Sequence, residues 1–266
     1  MVVILAAGKG SRFKGTTSKL ITKIDKEHTT ITRLISQFSS LGEKEFNIIV
    51  GHDSENLIKS VERFLNNHED INLNVIVNYV YNNKYNIAGC EYSFSCCYPC
   101  LQSNEPLYVV EGDIVTSTRN IKRVTQMEHT SLLVRPPFYL DKRSVCVLTY
   151  KNQYVSELIY DRSHKADLNQ LLELSNNLAD SMQIWKFVGE DIEILKNKLY
   201  DYKVSVDRNY CHDRLSNGLF SINNLITFSE NLDTMKVVEC SYPDELINLD
   251  TVDDLNKIKE CEWLDE

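Results

Sequence analysis

The chain has little of what punctuates or staples a fold. Its 266 residues include five prolines and nine glycines, which excludes collagen-like repeats and Pro- or Gly-rich linkers, and no low-complexity tract or internal repeat marks a boundary. Basic charge is in deficit: 29 Lys plus Arg stand against 38 Asp plus Glu, a formal net charge of −9. That balance argues against nucleic acid or an anionic membrane as the main partner, so any bound anion has to be met by a few placed cations. Long apolar runs are missing too. Met1 to Ala7 is about one strand long, lacks a basic flank and runs into Gly8-Lys9-Gly10, so it reads as neither signal peptide nor membrane span. The expectation is a soluble cytoplasmic protein. Eight cysteines are too few for a disulfide scaffold, and without a secretion signal they read as reduced thiols. Cys97-Tyr98-Pro99-Cys100 forms one CxxC near Cys90 and Cys96, but a second pair at ligand spacing is missing. Cys146, Cys211, Cys240 and Cys261 are scattered.

What is present is an alternation of strands and helices. Val2-Val3-Ile4-Leu5 is a β-branched run closed by small residues, suited to a buried parallel strand. Thr30 to Leu41 carries Ile31, Leu34, Ile35, Phe38 and Leu41 at helical spacing before Gly42. Phe46 to Gly51 reads as a strand, Ser54 to Leu65 as an amphipathic helix and Leu73 to Val77 as a third strand. A polar segment from Asn78 to Asn86 precedes a predicted helix through Ser93 to Leu101 and a strand from Pro106 to Asp113. The pattern predicts an α/β fold with a mostly parallel sheet covered on both faces. After Asp113 the texture changes, and Ser144 to Tyr150 with Tyr154 to Tyr160 read as a hairpin. Lys236 to Ser241 reads as a returning strand and Thr251 to Glu260 as a final helix. One domain over 1–266 is expected, with a nucleotide-binding half over 1–128, an acceptor-side subdomain over about 129–225 and the return over 226–266.

The sharpest local signal is Leu5-Ala6-Ala7-Gly8-Lys9-Gly10-Ser11-Arg12-Phe13, followed by Ser18-Lys19-Leu20. Small residues after a buried strand let backbone N–H groups approach an anion, and Arg12 and Lys19 add positive charge. A dinucleotide fingerprint is excluded because Phe13 stands where its third glycine belongs. A P-loop is excluded because Gly10 to Gly15 is followed by Thr16 where a lysine is required. A plain glycine turn with exposed basic residues is the bland alternative.

The run from Leu5 to Arg12 resembles the nucleotidyltransferases that join a nucleoside triphosphate to a phosphorylated small molecule, whose signature is LAAGxGSR followed by Pro-Lys. Lys19 matches the lysine; Ser18 replaces the proline. The resemblance implies a three-layer Rossmann-like fold with a mixed, mostly parallel sheet and an elaborated acceptor-side subdomain, and a nucleotide seat built from Leu5, Ala6, Ala7, Gly8, Lys9, Gly10, Ser11, Arg12 and Lys19.

A triphosphate needs a divalent cation, expected to be Mg²⁺. Asp113 ends an apolar strand, at the sheet edge where open α/β folds bind ligands, and also suits a plain strand-end turn. The resemblance places the metal aspartate there and a second carboxylate in a late Glu-x-Asp segment. Asp250 matches that aspartate and Asn248 stands in place of the glutamate, with Asp244 or Glu245 available to compensate. Asp250 equally suits a helix N-cap. Catalysis then rests on Lys19, Arg12 and Asp113 without a nucleophile, and His52, His68, His129, His164 and His212 read as surface or packing residues.

Length and motif are similar to the phosphocholine cytidylyltransferases and their phosphonate relatives. Asn78, Tyr85-Asn86 and Ser93-Phe94 loosely follow that pattern, making Ala88, Gly89 and Ser93 candidates near the base. Ser181 to Phe187 resembles a strand bordering the acceptor, where Trp185, Tyr139, Tyr160, Asp180 and Asp161 offer aromatic faces and carboxylates to a cationic head group. The expected partners are CTP or another nucleoside triphosphate and a small phosphorylated or phosphonate acceptor, for surface glycan or lipid decoration; a homodimer is compatible with this. Competing expectations are a sugar-1-phosphate nucleotidyltransferase using UTP, dTTP or GTP, and a nucleotide-binding module without turnover. A glycosyltransferase ranks lower because Glu111-Gly112-Asp113 is not an Asp-x-Asp motif.

Overall fold

The computed structural model describes residues 1–15, 17–87, 89–102, 104–135, 146–160, 178–208, 235–240 and 242–265, with backbone alone at 146–151, 156–160, 208 and 265. Its centre is a nine-stranded sheet. The chain enters on β1 (Val2–Ala6), crosses through α1 (Thr30–Ser40) to β2 (Glu45–Val50), then through α2 (Ser54–Asn67) and the short α3 (Glu69–Asn72) to β3 (Ile76–Tyr81). It returns through α4 (Cys90–Ser95) to β4 (Leu107–Glu111) on the other side of β1. There follow β5 (Ile114–Thr116), α5 (Thr118–Thr125), β6 (Ser131–Arg135), the hairpin β7 (Cys146–Lys151) and β8 (Tyr154–Tyr160), β9 (Leu178–Phe187), and α6 (Glu190–Arg208). The last elements are β10 (Lys236–Glu239), β11 (Leu246–Asn248) and α7 (Val252–Lys259). Sheet order is β3-β2-β1-β4-β9-β6-β10-β8-β7, with β9 and β8 running against the rest.

All five residues of β1 are buried, because successive side chains of a central strand face two covered layers. Val3 and Leu5 pack in one layer with Phe94 of α4, Ile192 and Leu199 of α6 and Trp185 of β9. Val2, Ile4 and Ala6 pack in the other with Ile31, Leu34 and Phe38 of α1 and Leu57 and Val61 of α2. The expected three-layer α/β architecture with a mostly parallel mixed sheet is therefore present. Because β9, from the second half, pairs with β4 of the first, one sheet runs through both halves.

Several boundaries differ from the sequence expectation. The third strand starts at Ile76, not Leu73, because the N–H groups of Leu73, Asn74 and Val75 bond back to Glu69 and Ile71 and prolong the preceding turn. The helix expected over 93–101 divides: α4 occupies Cys90–Ser95, and a separate 3-10 turn follows at Tyr98–Cys100 with Pro99 inside it. The hairpin is present, and its turn places Asn152 (φ 53°) and Gln153 (φ 68°) in the left-handed region, as a two-residue hairpin loop requires. Among the described residues no helix is long and apolar enough to cross a membrane.

Candidate active site

β1 and β4 are parallel neighbours whose crossovers lead in opposite directions, one toward β2 and the other toward β9. The crevice beyond their carboxyl ends is thus a topological switch point, where open α/β sheets bind ligands. The register pairs Leu5 with Glu111, so the loop after Ala6 and the Gly112-Asp113 turn emerge side by side. Gly112 N–H donates to the Leu5 carbonyl at 2.9 Å, and a Cβ at 112 would come within 2.8 Å of that oxygen and of Ile31 Cδ1. Only glycine permits so close an approach.

The loop after β1 leaves Gly8, Lys9, Ser11 and Arg12 exposed. Their backbone N–H groups, with that of Gly10, donate no hydrogen bond among the described residues, and the turn is closed by Phe13 N–H on the Gly10 carbonyl at 2.9 Å. Gly10 takes φ +58°, a left-handed residue of the kind that turns successive amides toward one anion. Leu5, Ala6 and Ala7, which lead into the loop, lie buried.

Ser18 adopts φ −57° and ψ 138°, an extended conformation compatible with the backbone angle that a proline would fix. Its carbonyl accepts from Ile21 N–H at 3.2 Å and Thr22 N–H at 3.1 Å, which closes the turn that carries Lys19. The lysine stem then lies under the loop, within 3.1 Å of where a Gly10 Cβ would sit. Its ammonium reaches Asp113 Oδ2 at 2.6 Å and Asp250 Oδ1 at 3.6 Å. Burial opposes the lysine charge, but the carboxylates of Asp113, Asp250 and Glu111 outweigh it and hold its pKa above the ordinary value. Arg12 Nη2 meets Asp250 Oδ1 at 3.0 Å from a side chain 64% exposed.

Asp250 arrives by way of β11, which pairs antiparallel with β5 in a small second sheet. Asp113 O accepts from Leu249 N–H at 2.9 Å, so the two carboxylates belong to adjoining backbone. Asp250 does not cap α7. That role falls to Thr251, whose Oγ1 accepts from Asp254 N–H at 3.2 Å while Asp254 Oδ2 accepts from Thr251 N–H at 2.9 Å. The Asp250 side chain is left to the cations. Asn248 Oδ1 is buried without a hydrogen-bond partner among the described residues. Of the two carboxylates expected to compensate, Asp244 and Glu245, the second has its Oε1 held by Arg119 at 2.5 Å.

A carboxylate that the motif reading passed over sits here as well. Glu111 closes β4, and burial reinforced by Asp113, with Asp250 and Glu91 adding to it against the pull of Lys19, pushes its carboxyl up to about 8. Its signal in the sequence was its place at the strand end, two residues before Asp113. Among the described residues no group of three or more His, Cys, Asp or Glu side chains could hold a metal ion; a divalent ion here would have Asp113 and Asp250, with phosphate oxygens and water completing its shell.

The other expected site residues are dispersed. Ser93 Oγ accepts from Asn82 Nδ2 at 2.8 Å and is buried, Gly89 precedes α4 as its cap residue, and Ala88 lies outside the described residues. Asn78 sits within edge strand β3 and donates to Asn47 Oδ1 at 3.3 Å, and Phe94 is core. Trp185 is 1% exposed and packed in the core, so its ring offers no face to a ligand. Asp180 is buried and paired with Arg135 at 2.9 Å. Tyr139, Asp161 and the side chain of Tyr160 lie outside the described residues. Cys97 is buried and Cys90, Cys96 and Cys100 are half-buried, all as free thiols, and His28, not singled out in the sequence, bonds Asp25 at 3.1 Å.

A family model described as a domain of unknown function (DUF6564) matches residues 16–262. The chain belongs to that family. The matched span includes Lys19, Asp113 and Asp250 and begins after the glycine loop. No curated protein matches in sequence. Among solved structures, the CTP:phosphocholine cytidylyltransferase of Streptococcus pneumoniae superimposes with a TM-score of 0.67 at 17% identity, covering 97% of both chains. The inositol-1-phosphate CTP transferase of T. maritima gives 0.64 at 18%, covering 97% of this chain and 96% of that one. A UDP-glucose pyrophosphorylase complexed with UDP-glucose gives 0.66 at 12%, covering 100% and 98%. At these identities the likeness establishes the fold: this DUF6564 chain has the Rossmann-like fold of the nucleotidyltransferases.

Proposed function

We propose that the chain transfers a nucleotidyl group from CTP to a small phosphorylated or phosphonate acceptor and releases pyrophosphate. The observation that carries this reading is the convergence of Lys19 on Asp113 at 2.6 Å and Asp250 at 3.6 Å, beside a loop whose amides donate no hydrogen bond among the described residues, at a topological switch point. An acceptor oxygen attacks the α-phosphorus in line, and the bond to the bridging oxygen breaks with its electron pair leaving on pyrophosphate. No covalent enzyme intermediate is needed. The loop amides and Arg12 bind the triphosphate, Lys19 neutralises charge that builds on the leaving group, and the remainder is positioning.

The residues present fit a divalent ion. One cation, the Lys19 ammonium, already lies within reach of both carboxylates, and the buried Asn248 amide oxygen has no partner among the described residues. Asp113 and Asp250 would hold Mg²⁺, with Asn248 beside them; when bound, the ion supplies charge neutralisation on the phosphoryl oxygens.

Two of the similar folds carry names of CTP-dependent enzymes, which supports CTP. The likeness to a UDP-glucose pyrophosphorylase favours a second reading, transfer from UTP to a sugar 1-phosphate. Trp185 is buried and Asp180 is paired with Arg135, so neither is assigned to the acceptor's head group. Pyrophosphate release measured across CTP, UTP, dTTP and GTP with phosphocholine, a phosphonate and glucose 1-phosphate separates the readings. Release with CTP and phosphocholine or the phosphonate supports the first, and release with UTP and glucose 1-phosphate the second. Binding of CTP with Mg²⁺ but no release with any acceptor points to a nucleotide-binding module.

A further inference from the structure

The acidic pair does not stand free. Lys19 is 11% exposed, Asp113 21% and Asp250 14%, so one ammonium, largely shielded from water, stands between two carboxylates that would otherwise repel each other and offsets one of their two charges. Arg12 also touches Asp250 at 3.0 Å, but from an exposed side chain that solvent screens. The Lys19 stem lies against Gly10, 3.1 Å from where a Cβ would sit. A divalent ion and the lysine would need the same two carboxylates.

We infer that Lys19 is an internal counter-ion of the metal-free chain, in direct competition with the divalent cation, and that it exchanges the carboxylates for the triphosphate when metal and nucleotide enter together. This rests on the transferase reading above. It makes the lysine two-sided: it weakens the binding of a metal alone and strengthens the binding of nucleotide. A lysine that only bound phosphate would leave metal affinity unchanged, and one that only held the fold would lower both affinities when removed.

The test uses the full chain, with Lys19→Met to keep the stem and Lys19→Gln to keep a hydrogen-bond donor toward Asp113. Mn²⁺ binding without nucleotide is followed by electron paramagnetic resonance, and CTP binding at saturating Mg²⁺ by calorimetry, with thermal unfolding as the check on fold. The expected result is Mn²⁺ affinity raised about tenfold in both variants and CTP affinity lowered, a free-energy change of about 1.4 kcal/mol for the metal. Adding Asp113→Asn to Lys19→Met should abolish the gain. Unchanged or weaker Mn²⁺ binding in variants that melt like the wild type overturns the inference, as does a gain that survives Asp113→Asn. If the wild type releases pyrophosphate while its variants gain no metal affinity, the counter-ion inference alone falls. If the wild type binds neither Mn²⁺ nor CTP, the transferase reading falls and takes this inference with it.

Discussion

Lys19 Nζ stands 2.6 Å from Asp113 Oδ2 across 94 residues of chain, and the contact exists because β1 and β4 end together as parallel neighbours. The lysine and the proposed cation both depend on the Asp113 carboxylate, whereas the β11 segment is held by its main-chain carbonyl. Asp113→Asn should therefore lower the rate of pyrophosphate release by about 10²–10³, with far-UV circular dichroism and thermal midpoint close to wild type. A rate within threefold of wild type would remove Asp113 from the chemistry.

Gly112 faces a backbone oxygen that cannot retreat, since Leu5 is held in the middle of the sheet. Gly112→Ala should destabilise the chain by about 1–3 kcal/mol through overpacking, read from the urea midpoint. Because the displaced strand end carries Asp113, the turnover number should fall as well.

Ser18 already holds the backbone angle of a proline, and its N–H donates no hydrogen bond among the described residues. Ser18→Pro should therefore keep activity and raise stability by about 0.4–1 kcal/mol by restricting the unfolded chain. Loss of activity with retained fold would show that the serine itself is used in binding.

Asp25 anchors the turn before α1. Its Oδ1 accepts from Glu27 N–H at 2.7 Å and His28 N–H at 2.6 Å, and its Oδ2 faces Arg33 at 3.7 Å. Although burial opposes its charge, the His28 side chain and these backbone N–H groups lower its pKa from 3.8 to about 2. A depressed carboxylate contributes stability above its unfolded value and loses it as pH falls through the folded one. Asp25→Asn should consequently cost most at neutral pH, and the difference from wild type in denaturant unfolding should shrink between about pH 4 and pH 2. A difference constant over that range would contradict the assignment.

The βαβαβ opening was legible in the sequence because β1, α1, β2 and α2 carry the apolar periodicity of a doubly covered sheet. Lys19, Arg12 and Asp113 were legible for a different reason: a glycine loop and an apolar strand each end where charge begins. What stayed hidden was non-local. That Asp250 is freed from capping by Thr251 and Asp254, and brought to Asp113 by the β5–β11 pairing, depends on two three-residue strands too short to leave a period. Trp185 and Asp180 read as ligand-facing because aromatic and acidic residues in a strand carry no mark of which face is covered. Only the insertion of β9 between β4 and β6 determines that Trp185 is core.

The claim on which all of this depends is that Asp113 and Asp250 share a divalent cation beneath a bound triphosphate. A crystal grown with a non-hydrolysable CTP analogue and Mn²⁺, measured at the manganese absorption edge, tests it most directly. An anomalous peak between the two carboxylates is expected, with the phosphates against residues 8–12 and Lys19 turned to them. A nucleotide seated elsewhere, or a peak remote from Asp113, would contradict it.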